Sequence, residues 1–189
     1  MSQGPIRIAC FGDSLTEGYG LAPNDALPSL LQKKLRDDGI EAVCLNFGVS
    51  GETSTDGLDR VEAVLAAKPH GVILEFGAND CFVGDPISTI QNSLSTLIET
   101  FTNQRIPTLL VGISSILQSD QDYKDLFDPI FPELAAHHNL LFLPDILACY
   151  HGNVSLTLLD GMHPNEQGVQ AIANDLYPLL HTLIAQIKS

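Results

Sequence analysis

Ser14 sits in the string FGDSLTEGYG near the start of the chain, and Asp160 and His163 stand three residues apart in DGMHPNEQG near its end. A hydroxyl, an imidazole and a carboxylate are the three parts of an activated serine nucleophile. Ser14 follows the apolar run Ile6 to Phe11, and Gly12 and Gly18 permit a tight turn around it. Alone, a serine at such a turn reads as a helix cap. The D-x-x-H string changes that reading, because it supplies a base and a group to orient the base. Histidine ordinarily titrates near about 6.5 and so exchanges protons near neutrality. On a loop, a carboxylate three residues before it reaches one ring nitrogen and leaves the other free, while Pro164 ends the loop ahead of a helix.

Attack of serine on an acyl carbon places negative charge on the carbonyl oxygen, which needs hydrogen-bond donors. Three candidates are present: the Ser14 N–H, the N–H of Gly51 in NFGVSGETS, and the side-chain amide of Asn79 in EFGAND. Phe82, Val83, Ile116 and Leu117 are apolar residues in loop-like stretches; they line an acyl groove or form satellite packing. Asp13 and Asp80 read as structural, Asp13 by bonding nearby amides. Glu75 is an anomaly, since a carboxylate inside a strand must find partners or shift its pKa upward. His70, His137, His138, His151 and His181 show no metal-ligand spacing and read as surface or capping residues.

These residues need a scaffold that gathers them. Strand-like runs fall at Ile6 to Phe11, Ala42 to Phe47, Val72 to Phe76, Thr108 to Ile113 and Leu140 to Leu143. Helical spacing links Leu27, Leu30, Leu31 and Leu35, then Leu58, Val61, Val64 and Leu65, then Ile87, Ile90, Leu94, Leu97 and Phe101. A last helix carries Val169, Ile172, Leu176, Leu180, Leu183 and Ile187 behind a cap at Asn165, with a kink expected at Pro178. Asp85 and Pro86 supply a cap and a first-turn proline for the third helix, and Ser114 to Asp122 reads as a loop. The alternation predicts an α/β fold: three α/β/α layers around a doubly wound, five-stranded parallel sheet. Ligands bind such sheets at the carboxyl ends of the strands. Ser14, Gly51 and Asn79 follow the first three runs, and Asp160 and His163 follow the fifth, so all the candidates share one rim.

The 189 residues fit a single domain spanning 1–189, and 44% hydrophobic residues suffice for one core. No stretch has the roughly 20 apolar residues needed to span a bilayer. Met1 to Pro5 lack the pattern of a secretion signal, so the chain as it stands reads as soluble and cytoplasmic, or periplasmic or secreted if a signal peptide preceded it. Nine basic against twenty-three acidic residues give a net charge of -14, which opposes nucleic acid and anionic membrane surfaces. Cys10, Cys44, Cys81 and Cys149 are widely spaced and read as free thiols. Asn153-Val154-Ser155 matches a glycosylation triplet that chance also produces.

The blocks GDSLTEGYG, SGETS, GAND and DGMHP, in this order, resemble the SGNH hydrolase superfamily, the GDSL esterases and lipases. Within it the chain is similar to the multifunctional thioesterase/lysophospholipase and arylesterase members over nearly its whole length. The resemblance implies Ser14 as nucleophile, Asp160 and His163 as the rest of a triad, and an oxyanion hole from Ser14, Gly51 and Asn79. It further implies a flavodoxin-like sheet order, no metal, no cofactor, and a mobile substrate loop near Cys81 to Pro86 with Gly84 as hinge. Ala78 departs from the family pattern, which often has glycine there. The expected activity is hydrolysis of small-molecule carboxylic esters or acyl thioesters. A carbohydrate O-acetylesterase on the same triad is the alternative, and a non-enzymatic flavodoxin-like binding domain a remoter one. The first motif satisfies neither the phosphate-loop pattern G-x-x-x-x-G-K-[ST] nor G-x-S-x-G. Oligomeric state is left open.

Overall fold

A computed structural model describes residues 4–115 and 121–188. Its sheet has five parallel strands in the order β2-β1-β3-β4-β5: β1 Ile6–Gly12, β2 Ala42–Gly48, β3 Gly71–Glu75, β4 Thr108–Val111 and β5 Leu141–Leu143. Each strand-like run falls on one of them. The ends differ by one or two residues because pairing register, not apolarity alone, sets them: β1 and β2 run on together to the pair Gly12 and Gly48, whereas β4 stops at Val111.

The helices are α1 Ser14–Glu17, α2 Leu27–Asp37, α3 Ser54–Ala66, α4 Ala78–Val83, α5 Ile87–Thr102, α6 Gln121–Phe127, α7 Ile130–His137 and α8 Glu166–Lys188. Side chains alternate across a strand, so Phe11 and Ile8 of β1 lie on opposite faces. The Phe11 ring meets Phe101 of α5 and stands edge-on to Phe76 at 5.0 Å, with Phe76 in turn against Gly57 of α3. On the Ile8 side, Gly71 approaches Leu183 and Ile187 of α8. The sheet is therefore covered on both faces, which gives the three expected layers.

Local chemistry fixes several helix starts. Thr53 and Asp56 form a reciprocal capping box on α3, with Thr53 N–H donating to Asp56 Oδ2 at 2.9 Å. Asn165 Oδ1 accepts from the N–H groups of Gln167 and Gly168, both at 3.0 Å, as its position ahead of α8 predicts. Asp85, however, does not cap α5. Pro86 is itself the cap residue, with extended backbone (ψ 130), and its carbonyl accepts from Thr89 N–H. The Ser114 to Asp122 loop needs a second correction: Gln121 and Asp122 open α6, and residues 116–120 lie outside the described part. α8 continues through Pro178, with Leu176, Leu180 and Leu183 buried on either side of the proline. Among the described residues no helix is long and apolar enough to cross a membrane.

Candidate active site

The sheet order reverses at β1 and β3, and the candidate residues gather beyond that point. β1 ends at Gly12; Asp13 then caps the single turn of α1, its Oδ1 accepting from Leu15 N–H at 3.0 Å. This leaves the Ser14 hydroxyl facing a cleft, while its N–H donates to no acceptor among the described residues. Arg60 of α3 locks the strand ends beneath the turn. Its guanidinium donates to Gly12 O at 3.0 Å and Phe47 O at 2.8 Å, pairs with Glu52, and lies 4.6 Å from the Phe11 ring centre. Glu17 holds the neighbouring loop by accepting from both the N–H and the hydroxyl of Ser50.

His163 reaches Ser14 from a long connection after β5. A bridge between Thr157 and Pro164, with Leu158 N–H donating to His163 O at 2.8 Å, closes that segment into a tight loop. Within it Asp160 Oδ1 accepts from the N–H groups of Met162 and His163, and Oδ2 lies 2.7 Å from His163 Nδ1. Burial works against the Asp160 charge, but the Met162 and His163 hydrogen bonds outweigh it and hold the carboxyl below its ordinary range. An ionised carboxylate only accepts, so Nδ1 carries the hydrogen and Nε2 is bare in the neutral ring. The Ser14 hydroxyl then donates to Nε2, 3.0 Å away, across 149 positions of sequence.

Gly51 borders the same cleft, and its N–H also donates to no acceptor among the described residues. Asn79, at the start of α4, borders it too, but both hydrogens of its amide are engaged: one goes to Glu52 O at 2.8 Å, the other to Asp13 Oδ2 at 3.2 Å. The longer bond to Asp13 is the one an oxyanion could share or replace.

The cleft has a volume of about 400 Å³, within the range of small-molecule sites, and apolar walls that include Leu15, Ile113, Leu147 and Tyr150. Phe82 lines it with an exposed ring. Val83, one position further round α4, is exposed and does not line it. Ile116 and Leu117 lie outside the described residues. Of the segment read as a loop near Cys81 to Pro86, Cys81, Phe82 and Val83 close α4, and Gly84 serves as its left-handed cap (φ 73) ahead of the coil at Asp85 and Pro86. His151, read as a surface or capping residue, borders the cleft. Among the described residues no cluster of three or more His, Cys, Asp or Glu side chains could hold a metal ion.

Motif reading misses two contributors that the structure brings in. The Tyr19 ring lies 4.4 Å from the His163 ring, centre to centre, and could have been suspected only from its place in the first motif. Arg60 carries no sequence signal, because its partners Gly12, Phe47 and Glu52 are adjacent only once β1 and β2 have paired. Asp80 accepts from the N–H and hydroxyl of Ser54, as its structural reading anticipates.

Residues 10–171 match the GDSL-like lipase/acylhydrolase family, and the chain belongs to it. An arylesterase of Vibrio mimicus is 30% identical over 173 residues, covering 91% of this chain and 86% of that one. The thioesterase 1/protease 1/lysophospholipase L1 of Escherichia coli K12 is 28% identical over 178 residues, with 94% and 84% covered. Among solved structures, that of TesA superposes with a TM-score of 0.89 at 29% identity, covering 94% of this chain and 99% of its own.

Proposed function

We propose that this chain, as a single domain, hydrolyses carboxylic esters or acyl thioesters through an acyl-enzyme on Ser14, with Asp160 and His163 completing the catalytic triad. The observation that carries the reading is the continuous hydrogen-bonded line from Asp160 through His163 to Ser14, ending at an apolar-walled cleft. His163 Nε2 takes the Ser14 proton as Oγ bonds to the acyl carbon. The resulting oxyanion is held by the Ser14 and Gly51 N–H groups and the Asn79 amide. Collapse of this intermediate breaks the bond to the alcohol or thiol, which leaves with the proton from His163. A water then attacks the acyl-enzyme by the same steps, releasing the acid and restoring Ser14.

The relatives named as arylesterase and thioesterase/lysophospholipase support both ester and thioester substrates. Hydrolysis of p-nitrophenyl acetate, hexanoate and palmitate, with the matching thioesters, tests substrate class. The open, apolar cleft favours acyl chains longer than acetyl. A sharp optimum at acetyl, with acetate released from acetylated sugars, would replace this reading by the O-acetylesterase one. Asn79→Ala is expected to lower kcat on the order of 100-fold, because the lost donor serves the intermediate rather than the bound ester. A change confined to KM would remove Asn79 from the oxyanion hole.

A further inference from the structure

Glu75 ends β3 at 2% exposure, beside Gly12 of β1. Gly12 makes room for it: a Cβ there would lie 2.4 Å from Glu75 Oε2 and from Thr16 Oγ1. Oε2 accepts from Thr16 Oγ1 at 2.8 Å and from Asp13 N–H at 3.3 Å. Oε1 is buried with no donor to accept from, and among the described residues no cation donates to either oxygen. An ionised carboxylate so placed is strongly disfavoured. Beside it stands a second carboxyl, that of Asp13, whose own backbone N–H donates to Glu75 Oε2. Both Asp13 oxygens already accept, from Leu15 N–H and from the Asn79 amide. Two neighbouring carboxyls buried without a cation do not both ionise readily, and one shared proton can turn their repulsion into a hydrogen bond.

We propose that Glu75 is a positioning residue for the catalytic turn, a neutral acid whose Oε1–H donates to the Asp13 carboxylate and keeps it aimed at Leu15 N–H and Asn79. The inference rests on the hydrolase reading above. Burial pushes both carboxyls upward, and the neighbouring Asp13 charge pushes Glu75 further. The other charged or titratable groups around the pair are Asp80, His163 and Tyr150, with the Arg60 guanidinium on Gly12 O. The consequence is catalytic. When Asn79 turns a hydrogen toward an oxyanion, Asp13 keeps its bonds from Leu15 and Glu75 and is not left bare.

The test compares Glu75→Gln, Glu75→Leu and Asp13→Asn with the wild type and with Ser14→Ala. Glutamine reproduces the neutral acid, its Oε1 and Nε2 serving as acceptor and donor, and is expected to keep kcat within about threefold. Leucine removes the donor and is expected to lower kcat on the order of tenfold or more at nearly constant KM. Difference infrared spectra at neutral pH should show a protonated carboxyl stretch in the wild type and in Ser14→Ala that Glu75→Gln lacks. Should Glu75→Leu not fold, the infrared band and the glutamine rescue still decide the matter. Absence of the band, its loss only in Asp13→Asn, or glutamine as damaging as leucine would overturn the proposal. An unaltered rate in Ser14→Ala would instead overturn the hydrolase reading, leaving the infrared result to stand by itself.

Discussion

Ser14→Ala and His163→Ala are each expected to lower kcat on the order of 10⁴-fold or more, which is about 5 kcal/mol of transition-state stabilisation. The double variant is expected to be no slower than the slower single one. The reason is geometric: the hydroxyl and the imidazole meet at 3.0 Å and act only as a pair, so either loss removes the same activated nucleophile. What survives is binding in the cleft and the oxyanion donors, neither of which needs the proton transfer. Steady-state kinetics on a p-nitrophenyl ester, with the variants purified free of wild type, checks this. Multiplicative losses in the double variant would mean that the two residues act in separate steps.

Gly48→Ala is expected to have the largest effect on stability, about 3 kcal/mol, or roughly 6–12 °C in Tm. An ideal Cβ at Gly48 would sit 2.1 Å from the Glu17 backbone N, 2.5 Å from its Cα and 2.7 Å from the Thr16 carbonyl carbon. No flexible side chain is there to yield, so the end of α1 must move off β2. That movement carries Glu17 with it, and Glu17 holds Ser50 beside the Gly51 N–H. Activity should therefore fall with stability, even in protein that remains folded. Thermal unfolding followed by circular dichroism, together with kcat well below the lowered Tm, measures both. A Tm within about 2 °C of wild type would show that the turn yields more easily than backbone packing allows.

Much of the scaffold is legible from hydrophobic period alone. The apolar runs of β1, β3 and β4 and the long stripes of α2, α3, α5 and α8 are strong because each buries a continuous face, whereas the edge strands β2 and β5 are only partly buried. The shorter helices are a different matter. Four residues of α1 and six of α4 span less than two turns, too few for a period to show, and the caps that make them, Asp13 and Gly77, look like turn residues. Both of these helices carry site residues, and the reading of Cys81 to Pro86 as a loop misses that Cys81, Phe82 and Val83 belong to α4. Pro86 likewise takes the cap position that the residue type of its neighbour Asp85 suits.

Within the site, Ser14, Asp160, His163, Gly51 and Asn79 are visible because each lies in a short string whose residue types imply chemistry. Glu75 is visible only as an anomaly. Its partners Asp13 and Thr16 lie 62 and 59 positions away, and only the pairing of β1 with β3 joins them. Tyr19 and Arg60 are silent for the same reason: aromatic contact with His163 and guanidinium contact with two strand ends are properties of assembled structure.

The proposed mechanism requires that the Ser14 oxygen take the acyl group. Incubation with a fluorophosphonate, followed by intact and peptide mass spectrometry, tests it most directly. One adduct is expected, carried by the peptide containing Ser14, with activity lost in proportion to labelling and no adduct in His163→Ala on the same timescale. Full activity in protein modified at Ser14, or an adduct on a different residue with Ser14 untouched, would contradict it.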